Sequence, residues 1–263
     1  VGKISKAEKE EIREKASYEA NRCRGELSLG SEPISDIFSM IERQNILLLR
    51  YPSKSNNLSA LLAQDEDGLP LIYINTNMPL GRQVFSAAHE FAHYKYHLKD
   101  KDLWICDPGN IQPEDREEIF ADSFAGAFLL PPEGVRRVFY EMFRFTKKVD
   151  PYIVIRMQHV FNVSYGAMLY ALYNCKIIDG RTYGNLRKLS HPDQAGELEK
   201  LTIGLGFEPV LMKPSGPVVP SRLLHALQKN YSEEKVSYNK VAAILAEWGK
   251  KPADYGIEYD YGI

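Results

Sequence analysis

The sequence predicts an α+β fold from three observations. Two helical stretches come first, three short apolar runs separated by turn residues follow, and a helix carrying paired histidines comes directly after them. Residues 6–24 read as a mixed-charge helix with Ile12, Ala16 and Ala20 as a modest apolar face. A turn containing Gly30 and Pro33 leads to a second helix at about 34–43, carrying Ile34, Ile37, Phe38 and Ile41. The runs 46–51, 59–64 and 70–75, divided by Ser/Asn and Asp/Gly turns, read as strands of a small sheet.

The next stretch, 82–97, contains no Gly or Pro, and Val84, Phe85, Ala88, Ala92 and Tyr96 recur at helical spacing. Within it stands His89-Glu90-Phe91-Ala92-His93. Histidines four apart lie one turn apart on one helix face, so both imidazoles can reach a single metal ion. Glu90 points just off that face, where it can take a proton from a metal-activated water. Such a helix fits a zinc hydrolase; the plainer alternative is a buried helix whose histidines are satisfied by hydrogen bonds.

After a polar loop at 99–112, a helix is expected to begin near Pro113, with Glu114 and Asp115 in its first turn, and to stop at Pro131-Pro132. From Phe120 onward it is apolar almost all round, which predicts a buried helix. Asp122 breaks that pattern, and a buried carboxylate needs a partner; the expected one is the free ring nitrogen of a metal-bound histidine. Glu114, Asp115, Glu117 and Glu118 are all candidates for a third ligand. Glu118 is preferred because it shares a face with Asp122, whereas Glu117 shares its face with Ala121, Phe124 and Phe128. His97 continues the row of histidines but lies about 12 Å along the axis from His89, so one ion cannot hold all three.

Residues 135–145 read as an amphipathic helix whose cations form a solvated face, with a partner-docking patch as the minor reading. Residues 151–174 read as a helix-turn-helix-like segment, with Asn162 at the turn and Ser164 capping the second helix. That second helix carries Tyr165, Tyr170 and Tyr173 but no Lys or Arg, so direct DNA binding is not expected, and a structural or protein-docking role is. Two more helical stretches are expected near 220–229 and between Ser237 and Gly249; residues 190–219 are the least legible. The resulting division is a domain at 1–145 holding the sheet and the histidine helix, then a mainly helical domain at 146–263.

Composition narrows the function. With 44% hydrophobic and 26% charged residues and a net charge of −2, the chain is a globular protein without a field that gathers nucleic acid or membrane. Cys23, Cys106 and Cys175 are widely spaced and form no Cys-x-x-Cys pair, which predicts a reducing compartment. The polar start carries no apolar signal core and no stretch is long enough to span a bilayer, so the expected location is the cytoplasm.

The run Ala87-Ala88-His89-Glu90-Phe91-Ala92-His93 followed by His97, together with Glu118-Ile-Phe-Ala-Asp-Ser-Phe-Ala-Gly-Ala-Phe-Leu-Leu-Pro131, resembles the ImmA/IrrE family of zinc metallo-endopeptidases. Phe91-Ala92 departs from the Leu-Gly frequent in that family, at positions that do not ligate. The resemblance implies a zincin-like domain with a gluzincin-like site and one Zn2+ per chain, with other divalent metals as the alternative. It also implies cleavage of a small helix-turn-helix transcriptional repressor in a stress response or mobile element. On this reading His89, His93 and Glu118 hold the metal, Glu90 is the general base and Asp122 stands behind a ligand. The competing reading is a regulatory module that sequesters a repressor around a structural zinc. Glu90 argues against it, because a structural site has no use for a base and closes with four protein ligands. A DNA-binding regulator is disfavoured by the charge and by the cation-free second helix.

Overall fold

The computed structural model describes residues 4–55, 57–64, 67–98, 103–104, 115–144, 146 and 148–259. Helix α1 (Lys6–Glu26) opens on a capping box in which Ser5 and Glu8 satisfy each other's backbone N–H. Helix α2 (Ile37–Glu42) is capped by Asp36 and starts three residues later than the apolar spacing suggested. Strands β1 (Leu47–Tyr51), β2 (Ala60–Gln64) and β3 (Pro70–Asn75) match the three apolar runs. A two-residue β4 (Leu103–Trp104) completes a mixed sheet of order β1-β3-β2-β4, with β1 parallel to β3 and the other pairs antiparallel.

One face of the sheet is dry: Leu48, Ala60, Leu62, Ile72 and Ile74 are buried, following the two-residue alternation of strands. Helix α3 (Leu80–Tyr96) packs across β2 and β3, and α4 (Arg116–Leu129) packs against both α1 and α3. At the end of β3, buried Asn75 accepts from Ser53 N and Asn77 N and donates to Leu58 O, which pins the turn that launches α3. Buried Arg24 of α1 donates to the carbonyls of Gly30, Glu32 and Phe128, tying the first helix to the end of α4. Burial lowers its guanidinium to about 10.

Helix α4 begins at Arg116 with Asp115 as its N-cap, accepting from Glu117 N at 2.9 Å. The expected start near Pro113 and the candidate Glu114 lie outside the described residues, as does Cys106. Pro132 does not merely stop α4; it is the first residue of α5 (Pro132–Met142), where a missing N–H costs nothing. Gly134 is needed there because a Cβ would sit 2.0 Å from Ser31 O.

Helices α6 (Pro151–Phe161) and α7 (Tyr165–Asn174) are joined through Asn162, which takes the left-handed conformation at φ 54°, ψ 41°. Tyr165 does not join Tyr170 and Tyr173 on the surface: it is buried, with its hydroxyl on Leu186 O. Beyond them, α8 (Gly180–Leu186) lies where no element was expected, and α9 (Ala195–Gly204) falls within the poorly legible 190–219. The last helices, α10 (Ser221–Ser232) and α11 (Tyr238–Ala246), fall where apolar spacing placed them.

The apolar core does not divide at 145/146. One continuous cluster runs from Ala16 to Leu198 and includes α6 and α7; a separate small one gathers Val219, Leu227, Val241, Leu245 and Ile257. The start of α3 explains part of the continuity. Its Gly81 lies so close to α7 that a Cβ would meet Ser164 N at 2.9 Å. The segment before α10 returns to the edge of the sheet: Leu80 N donates to Lys213 O and Val218 N to Arg50 O, so part of the β1 edge is paired. No helix among the described residues is long and apolar enough to cross a membrane.

Candidate metal centre

Helix α3 is deeply buried over its central turns, where Ala87, Ala88, Phe91 and Ala92 face the core and His89 and His93 share a neighbouring face. Their Nε2 atoms stand 3.1 Å apart. Glu118, in the first turn of α4, reaches both: Oε2 lies 3.2 Å from His89 Nε2 and Oε1 lies 3.4 Å from His93 Nε2. Among the described residues these three form the group whose ligand atoms converge well enough to hold a metal. Glu90, beside His89, is 1% exposed.

The donor set fits a divalent transition metal. Around a tetrahedral ion with ligand bonds of 2.0–2.1 Å, neighbouring donors lie about 3.3 Å apart. The two imidazole nitrogens, 3.1 Å apart, are close to that value, and each has a different oxygen of the Glu118 carboxylate at 3.2 or 3.4 Å. Charge agrees with geometry. Burial opposes ionisation of Glu118, but hydrogen bonds and charge from His89 and His93 outweigh it and hold the carboxyl well below the usual carboxylate range. Burial also holds His93 below the ordinary imidazole value, against the pull of Glu118. A carboxylate and a neutral imidazole are the states that bind metal.

Asp122 is on the surface, contrary to its expected burial: its side chain is 64% exposed. The apolar composition of α4 misled because Ser123, Gly126 and Ala127 are small, and their stripe, shared with Glu118 and Asp122, is only partly covered. The expected contact is nevertheless present, with Asp122 Oδ1 2.9 Å from His89 Nδ1. Sequence reasoning missed a second such contact. His97 places its Nδ1 2.9 Å from His93 Nδ1, and the signal was the same four-residue step that links His89 to His93.

Two helix-borne imidazoles and a carboxylate from the next helix thus form a His₂Glu cluster that could hold a metal ion. The IrrE N-terminal-like domain of the Peptidase_M78 family matches residues 41–173, just over half of the 263 residues, and the chain belongs to that family. The matched span contains every site residue named here and crosses position 145. No curated protein matches the chain. Among solved structures, a Mycobacterium tuberculosis transcriptional regulator is similar at 17% identity and a TM-score of 0.41. The match covers 62% of this chain and 51% of that one, so this chain spans about half the length of that protein.

Proposed function

We propose that the chain is a cytoplasmic zinc-dependent endopeptidase in which His89, His93 and Glu118 hold the metal. The observation that carries this reading is the convergence of His89 Nε2, His93 Nε2 and the Glu118 carboxylate, contributed by two different helices. A zinc ion at this place supplies Lewis acidity toward a water and a peptide carbonyl. Glu90 takes the proton of the attacking water as the new C–O bond forms, and then delivers it to the departing amine as the peptide C–N bond breaks. Its depth in the protein keeps competing solvent away from that proton. Asp122 accepts from His89 Nδ1–H and fixes the ring so that Nε2 faces the metal.

The substrate class comes from the family resemblance: a small helix-turn-helix repressor, whose cleavage relieves repression. The cytoplasmic location is supported by Cys23 and Cys175, which are free and buried rather than bridged.

The test is Glu90→Gln, assayed for zinc content and for cleavage of a helix-turn-helix repressor encoded beside this chain. Zinc should be retained while cleavage falls by ~10²–10⁴-fold. Near-normal cleavage by the variant would place the chemistry elsewhere; absence of cleavage by the unmodified chain, with zinc bound, would favour a sequestering module.

A further inference from the structure

Imidazole has two ring nitrogens and, when neutral, one proton. In His93 the Nε2 atom faces His89 and Glu118, while Nδ1 faces His97 Nδ1 at 2.9 Å. Two Nδ1 atoms at that distance share one proton: one ring donates and the other accepts. If His93 gives its Nε2 lone pair to a metal, its proton must sit on Nδ1, and His97 must then accept there and keep its own proton on Nε2.

We propose that His97 is a positioning residue that holds His93 in its metal-binding tautomer by accepting the His93 Nδ1–H hydrogen bond. The inference rests on the reading of His93 as a metal ligand. His97 is placed for this by three restraints. It is the C-cap of α3, with its backbone N–H on His93 O at 2.9 Å. Its ring lies 4.9 Å from that of His93, and on the other side it meets Phe120 edge-on at 5.3 Å, a residue of α4 two positions beyond Glu118. The side chain of His93 has no exposed surface, so bulk water is not at hand to replace a lost acceptor. The two histidine ligands are thus held by different means, His89 by an exposed carboxylate and His93 by a half-buried imidazole.

The experiment measures zinc affinity of the full chain by competition with a chromophoric chelator, for the unmodified protein and for His97→Leu, His97→Asn and His93→Ala. Leu keeps bulk without an acceptor, while the Asn side-chain oxygen is as many bonds from the backbone as Nδ1. His97→Leu should weaken zinc binding by ~10–100-fold and His97→Asn should restore most of it. Equal loss in both variants would assign His97 to packing and overturn the proposal. Unchanged affinity in His97→Leu, with binding lost in His93→Ala, would overturn the proposal alone; unchanged affinity in all three would remove the metal-site reading with it. Nitrogen-15 spectra of the zinc-loaded, histidine-labelled unmodified protein provide an independent check that needs no variant to fold. They should show the His93 proton on Nδ1 and the His97 proton on Nε2, and a His97 proton on Nδ1 would overturn the proposal.

Discussion

Helix pairs α3–α4 and α6–α7 both bury apolar faces in one core, yet they treat their polar residues in opposite ways. In the first pair, His89, His93 and Glu118 point into a shared space, and Asp122 and His97 stand behind the two rings. In the second, Gln158 is fully buried with neither amide atom hydrogen-bonded, and the exposed polar groups, among them Arg156, Tyr170 and Tyr173, face solvent. A buried polar residue becomes part of a site when a second element brings complementary groups to it; alone it is a cost to stability. The difference separates a helix pair whose polar side chains converge from one whose polar side chains do not.

The comparison is tested most severely at Glu118. Glu118→Gln should weaken zinc binding by more than the ~10–100-fold typical of groups behind a ligand, while Glu117→Gln should change little. A titration with the opposite ranking would mean that α4 presents a different face to the metal. Next in size, Leu172→Ala in the buried face of α7 should lower the unfolding free energy by ~2–5 kcal/mol in a urea titration. The zinc affinity of the folded protein should survive; its loss at unchanged stability would tie α7 to the chemistry and dissolve the contrast. Asp122→Ala should reduce zinc affinity or activity by ~10–100-fold, and an unchanged affinity would show that an exposed carboxylate does not orient His89. The smallest effect is expected on duplex DNA. Because α7 carries no cation to meet phosphates, a gel shift should show little binding, and a salt-sensitive shift lost when 151–174 is removed would reverse the view of this pair.

Legibility followed locality. The strands at 60–64 and 70–75 were visible as apolar runs between turn residues, and Asn162 and Ser164 announced the α6–α7 turn through their backbone preferences. Helices α8 and α9 were not visible, since their burial is slight: Leu186 in one, and Leu198 with Thr202 in the other, are their buried residues. The division at 145/146 followed the order of elements along the chain, but that order does not record which surfaces meet, and α6 and α7 share the core of the sheet-bearing part.

What the sequence determined by itself is the pairing of His89 with His93 and the place of Glu90 between them, because helical geometry alone sets relations within two turns. The preference for Glu118 over Glu117 also came from spacing, as one face of a single helix. Tertiary structure decided the rest. The packing of α4 on α3 brings Glu118 within reach of both rings, leaves Asp122 in solvent while still touching His89, and sets Phe120 against His97. Those distances depend on how far apart two helices lie and how each is rolled about its axis, quantities fixed by the interdigitation of side chains across the whole interface.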